Sequence, residues 1–144
     1  MNIRDFRKPQ HDVNEIFLNR WSPRAMSGEE IAEVDLFSLL VVISKTTFDS
    51  DKPSRTHSYD AGAAWVSFAL QGSLAGLVVQ GMQGFDYDKA KVTLRVPDDY
   101  SVEAMIAVGR KGRKEELPDH LQEREFPSVR KSLSEIAMEG LFRE

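Results

Sequence analysis

The segment from Ala61 to Leu77 constrains the fold more than any other part of this chain. Asp60 stands where an N-cap would, ahead of a run that carries Trp65, Phe68, Leu70 and Leu74 among alanines and glycines. Apolar side chains therefore occur around much of the helical circumference rather than along one stripe. A helix of that kind must be buried on more than one side, in a central core or at a subunit interface. The small residues Ala61, Gly62, Ala64, Gly72 and Gly76 permit close packing there. With 144 residues the chain has the size of a single domain, expected to span 1–144, so the remaining elements have to be arranged around this helix.

Those elements follow from local patterning. Leu77-Val78-Val79 is a short strand that runs into Gly81-Met82-Gln83-Gly84, read as a loop whose glycines allow close backbone approach. Phe85 to Leu94 is a short helix, Val96 to Tyr100 a turn, and Val102 to Val108 an apolar strand ending at Gly109. Upstream, Ser27-Gly28-Glu29-Glu30 reads as a capping box, followed by Ile31, Val34 and Phe37 at helical spacing. From Leu36 to Ile43 the pattern becomes continuous, and the β-branched Val41-Val42-Ile43 reads as a buried strand. No Gly, Pro, Asn or Asp lies between Phe37 and Ile43, so helix and strand meet without turn chemistry. Thr46 to Ser58 is a polar, exposed loop. The charged stretch from Arg110 to Arg124 is weakly structured with a breaker at Leu117-Pro118, and Leu133 to Phe142 is an ordered apolar segment.

Composition narrows the function. A net charge of -4 argues against a nucleic-acid or anionic-membrane binder, whose affinity needs phosphates neutralised over a wide surface. There are no cysteines, which removes disulfides, thiolate nucleophiles, iron–sulfur clusters and Cys-ligated zinc, and fits a reducing cytoplasm. His11, His57 and His120 lack ligand spacing, so no metal site is expected. Met1 to Gln10 is charged and has no apolar centre, unlike a signal peptide.

Within this acidic chain, basic residues gather at two places. In Arg20-Trp21-Ser22-Pro23-Arg24, two guanidinium groups flank a hydroxyl, and Pro23 stiffens the backbone between them. Forked guanidinium donors and a neutral hydroxyl suit phosphate oxygens, although two arginines near a serine also occur on solvated surfaces. Arg130-Lys131, after Pro127 and Ser128, is the second compact cluster.

Taken in order, these landmarks resemble the nitroreductase family of FMN-dependent oxidoreductases. Arg20 to Ser27 is similar to that family's N-terminal phosphate motif, and Asp60-Ala61-Gly62-Ala63-Ala64 to the start of its long central helix. Gly81-Met82-Gln83-Gly84-Phe85-Asp86 resembles the loop that approaches the flavin ring. Val96 to Tyr100 with Met105 to Arg110 resembles the last core strand, and Pro127 to Leu133 the C-terminal basic motif. The resemblance implies an abbreviated α+β fold, a central, mostly antiparallel sheet flanked by helices, in a cytoplasmic homodimer. It also implies FMN as cofactor, with Arg20, Ser22 and Arg24 gripping its phosphate from one side and Arg130 or Lys131 from the other. Gln83 and the Gly84 backbone would face the reactive edge of the ring. The implied reaction takes hydride from NAD(P)H through the flavin to a nitroaromatic or quinone-like acceptor, with no catalytic side chain and no metal. The family pattern places several dozen more residues, with ring- and ribityl-contacting motifs, between the capping-box helix and the strand near Val41. Their lack here is what an internal deletion leaves, and it supports an alternative: a catalytically inactive, dimeric scaffold or ligand-binding remnant of the same fold.

Overall fold

The computed structural model describes residues 6–9, 12–27 and 39–141. Its elements are α1 (Glu15–Asn19), β1 (Leu39–Lys45), α2 (His57–Leu74), β2 (Val78–Met82), α3 (Tyr87–Thr93), β3 (Tyr100–Gly109), α4 (Asp119–Gln122) and α5 (Leu133–Ile136). The capping-box helix expected after Ser27, and the join between that helix and the strand, lie outside the described residues.

The strands form one antiparallel sheet in the order β1-β3-β2, so the longest strand is central and pairs along both edges. α2 lies against this sheet. Ala69 of α2 meets Val79, Ile106 and Val108, and Leu40, Val42, Trp65, Phe68 and Leu77 close the core around them. The fold is α+β, with helices beside a small antiparallel sheet, as the resemblance implied.

α2 carries two apolar faces. Trp65, Phe68 and Ala69 turn to the sheet. Tyr59, Val66 and Leu74, spaced to share another face, are 79%, 51% and 69% exposed. The helix starts three residues before the expected cap. Thr56 is the N-cap, and Asp60 sits within the first turn, where it accepts a hydrogen bond from Thr56 Oγ1 at 3.1 Å. The helix ends at Leu74, and Gly76 then takes the left-handed conformation (φ 74°) that lets the chain turn into β2.

β2 is longer than the sequence suggested. Gly81 and Met82, read as loop, pair with Ile106 and Met105 of β3. Gly81 has a steric reason to be glycine, since a Cβ there would meet the Trp65 ring at 3.0 Å. Between Val42 and Ile43 the β1–β3 register slips by one residue, leaving Glu103 as the extra residue of a bulge. The bulge brings Glu103 to the start of α2, where its carboxylate accepts from Ser44 Oγ and from Ser58 Oγ (2.8 Å) and lies 3.4 Å from His57 Nδ1. Burial pushes the Glu103 carboxyl up, but the hydroxyl donors of Ser44 and Ser58 with His57 outweigh it and hold the group below its usual range. This network fixes the first turn of α2 to the sheet.

Candidate functional site

Chain segments from both ends meet beside the sheet edge. Asn14 caps α1 by accepting from the Ile16 amide at 3.0 Å, and the helix stops at Arg20, whose backbone is extended. The following residues run along the exit of β3. Ser27 N donates to Arg110 O and Gly112 N to Ala25 O, each at 2.9 Å, with a bridge between Met26 and Lys111. The approach is close enough that a Cβ on Gly112 would sit 2.5 Å from the Met26 carbonyl carbon. Ser22 Oγ donates to the carbonyl of Val79 in β2 at 3.4 Å, which ties the motif to the sheet.

Arg7 binds the two ends together. It is 2% exposed and spends its guanidinium on backbone carbonyls, those of Leu18 and Arg20 at 2.6 Å and that of Ser128 at 3.1 Å. Glu125, 5% exposed, does the complementary work. Its carboxylate accepts from Arg24 N at 2.8 and 3.1 Å and from Ala25 N at 3.1 Å, and stands 3.6 Å from the Arg24 guanidinium. Arg24 also donates to the Arg124 carbonyl at 3.1 Å.

The result is a cleft of about 360 Å³ lined by five arginines, Arg7, Arg20, Arg24, Arg124 and Arg130, together with Ser22, Ser128, Trp21 and Phe126. Arg20 donates to Ser22 Oγ at 3.3 Å and Arg130 to Ser128 Oγ at 3.1 Å, so each carries a hydroxyl beside it. Among the described residues, no ion pair joins Arg7, Arg20 or Arg130 to a carboxylate. Desolvation, followed by repulsion from Arg130 and Arg20, lowers the Arg7 pKa to about 10, and desolvation with Arg130 lowers that of Arg20. Like charges held together without a counter-charge make a site whose electrostatics improve when an anion enters. Forked donors with flanking hydroxyls match the oxygens of a dianionic phosphate.

Of the residues singled out in the sequence, Arg20, Ser22, Arg24 and Arg130 come together in this cleft. Lys131 is exposed and outside its lining, so between the two candidates it is Arg130 that faces the space. Gln83 and Gly84 also stand outside it, exposed just past the end of β2. At a rise of roughly 3.3 Å per strand residue, Gln83 lies about 13 Å along the chain from the Val79 carbonyl that Ser22 holds. Sequence reasoning missed Arg7, Arg124 and Glu125, each within a charged stretch that reads as solvated surface.

No metal-ligating cluster of His, Cys, Asp or Glu occurs among the described residues, and no helix among them is long and apolar enough to cross a membrane.

No family model matches the sequence. A Mycolicibacterium smegmatis chain, the "uncharacterized 15.4 kDa protein in ask 5'region", is 27% identical over 104 residues, covering 72% of this chain and 70% of that one. Among solved structures, an oxidoreductase containing FMN is 33% identical with a TM-score of 0.87, and the match covers 95% of this chain and 96% of that one. A nitroreductase family protein from Clostridium difficile 630 shares the fold at a TM-score of 0.52 and 19% identity, over 72% of this chain and 59% of that longer one. The short form is therefore shared, over almost the whole of both chains, with a solved oxidoreductase containing FMN, to whose family this chain belongs, and the fold is that of the nitroreductases.

Proposed function

We propose that this chain is an FMN-dependent oxidoreductase that moves hydride from NAD(P)H to a nitroaromatic or quinone-like acceptor. The observation that carries the reading is the arginine cleft, in which Arg20, Ser22 and Arg130 converge with no carboxylate among the described residues to neutralise them. The likeness to an oxidoreductase containing FMN supports the same cofactor. Arg20 and Arg130 would supply the paired charge for the phosphate, and Ser22 a neutral donor. Arg24, partly neutralised by Glu125, would add a weaker pull, while Arg7 holds the backbone of both walls in place.

FMN, when bound, supplies the redox chemistry, accepting hydride at its ring and passing it on. The chain's part is to bind and orient. Gln83 and the Gly84 amide, both exposed beyond β2, are donors available to the ring, and donors there favour negative charge on a reduced flavin. No general acid or base is required of the protein, and none of the arginines is suited to that role.

The exposed face of α2 supports a homodimer. Tyr59, Val66 and Leu74 form an apolar stripe on the helix that the core does not cover, and Leu39 and Ile43 of β1 are also exposed. A scaffold reading, in which the fold is kept without catalysis, has less support than the sequence suggested, because a chain of nearly equal length is an oxidoreductase containing FMN.

An absorbance spectrum of the purified protein after FMN loading and desalting tests the cofactor. The expected result is a flavin band at close to one per chain, bleached by NAD(P)H and restored by a quinone. A folded protein that retains no flavin would overturn the proposal.

A further inference from the structure

The cleft holds more positive charge than one phosphate requires, and its arginines divide into two groups. Arg7 and Arg20 have Arg130 as a repelling neighbour, whereas Arg24 and Arg124 are joined directly, the Arg24 guanidinium donating to the Arg124 carbonyl at 3.1 Å. Within the first group, Arg20 and Arg130 are assigned above to the flavin phosphate, to which Arg24 adds a weaker pull, while Arg7 holds the walls. In the second, Arg24 is occupied: its guanidinium pairs with Glu125 and donates to the carbonyl of Arg124, which braces the segment carrying that residue. The Arg124 side chain lines the same cleft and, among the described residues, is joined to no carboxylate.

Beside Arg124 the cleft wall is aromatic. Phe126 is 49% exposed, yet it is held in place by stacking on Phe6, with ring centroids 6.4 Å apart and planes 20° from parallel. Trp21 lines the same cleft, with Lys111 Nζ 5.7 Å from the centre of its ring. An unpaired guanidinium next to an ordered, half-exposed ring has the donor set for a phosphorylated aromatic base: charge for the phosphate and a flat apolar surface for the base.

We propose that Arg124 and Phe126 form a second subsite that takes the phosphorylated adenosine of the reductant, so that the enzyme uses NADPH in preference to NADH. This rests on the flavin reading. Arg124 meets the 2′-phosphate that NADH lacks, Phe126 offers a surface for the adenine, and Arg24 with Glu125 acts as a positioning pair that keeps the Arg124 backbone in place.

The test is calorimetric titration of 2′,5′-ADP and of 5′-AMP into the protein, with and without FMN loaded, alongside KM for NADPH and NADH on the loaded enzyme. Tighter binding of 2′,5′-ADP by about tenfold or more is expected, with a matching KM ratio, and Arg124→Ala is expected to erase both differences. Phe126→Leu, which keeps an apolar side chain at an exposed position, should weaken both nucleotides together. Equal affinities in the unaltered protein, or a 2′,5′-ADP preference that survives Arg124→Ala, would overturn the subsite. Retention of FAD in preference to FMN, abolished by Arg124→Ala, would overturn the assignment to the reductant and give the subsite to the cofactor's own adenosine. Failure to retain any flavin while the 2′,5′-ADP preference persists would sink the flavin reading and leave the subsite standing.

Discussion

Removing the Glu125 carboxylate should separate the stability of the cleft from its affinity for anions. The group is buried and accepts from two backbone amides, Arg24 N and Ala25 N, while standing 3.6 Å from the Arg24 guanidinium. In Glu125→Ala both amides lose their partner, and Ala25 is too buried for water to replace it. Hydrogen bonds to a charged group contribute about 1.5–3 kcal/mol each, and stripping one partner from a buried pair costs about 3–5 kcal/mol. We therefore expect a loss of about 3–5 kcal/mol. Glu125→Gln keeps one amide oxygen to accept from the same N–H groups and loses only the charge, so about 1–2 kcal/mol is expected. Urea melts should show the order wild type, Gln, Ala in midpoint at constant slope, since the folded surface is unchanged. Flavin affinity should move the other way in the glutamine variant. Freed from its counter-charge, Arg24 then pulls harder on the phosphate, so FMN should bind as tightly as before or more tightly. The reasoning fails if the two variants are equally stable and match the wild type, because the carboxylate then contributes nothing net. It fails differently if Glu125→Gln folds normally but loses flavin, which would make Arg24 placement, rather than charge, the role of Glu125.

Arg130→Ala should weaken FMN binding by about tenfold to a hundredfold, the loss of one charge-assisted contact, whereas Lys131→Ala should leave it unchanged; comparable losses in flavin titrations of the two variants would refute the assignment of Arg130. Gly72→Ala should destabilise by about 1–3 kcal/mol, because its Cβ would collide with the stiff Val79 side chain in the core, and Gly84→Ala, which meets nothing within 4 Å, should be close to neutral in the same urea melts. Glu103 is held below its usual range, so its contribution is present above the unfolded carboxyl pKa and is lost as pH falls through the lower folded value. Glu103→Gln should therefore be less stable at neutral pH and should flatten the acid limb of a stability-against-pH curve below about pH 4.5, and an unchanged limb would remove the group from that transition.

The parts of the fold legible in the sequence are those fixed by local chemistry. The strands around Val41, Val78 and Val102 to Val108 announce themselves through β-branched runs, and α2 through its length and its two apolar faces. The start of α2 does not, because His57 and Ser58 are held in the first turn by Ser44 and Glu103, partners from two other strands. Gly81 and Met82 look like loop by composition but are paired because β3 runs on far enough to meet them. The same division holds in the cleft. Arg20, Ser22 and Arg24 could be read because hydroxyl, proline and guanidinium lie within five residues of one another. Arg7 and Glu125 could not, since the groups that make them structural are backbone carbonyls and amides distant in sequence.

The brevity of this chain beside the longer nitroreductase-fold protein can be reconciled with an intact arginine cleft by asking which contacts build it. Its walls come from residues 7 to 24 and 124 to 130, joined by Arg7 to the Ser128 carbonyl, by Glu125 to the Arg24 and Ala25 amides, and anchored on β2 by Ser22 and on the β3 exit by Gly112. Outside those contacts lies the apolar surface of β1 and α2, where Leu39, Ile43, Val66 and Leu74 are exposed. Each large side chain left in water forgoes about 1.5–3 kcal/mol, so the cost of that exposed face falls on stability and on what must pack against it. A second copy of the chain laid across α2, as proposed above, would recover that energy.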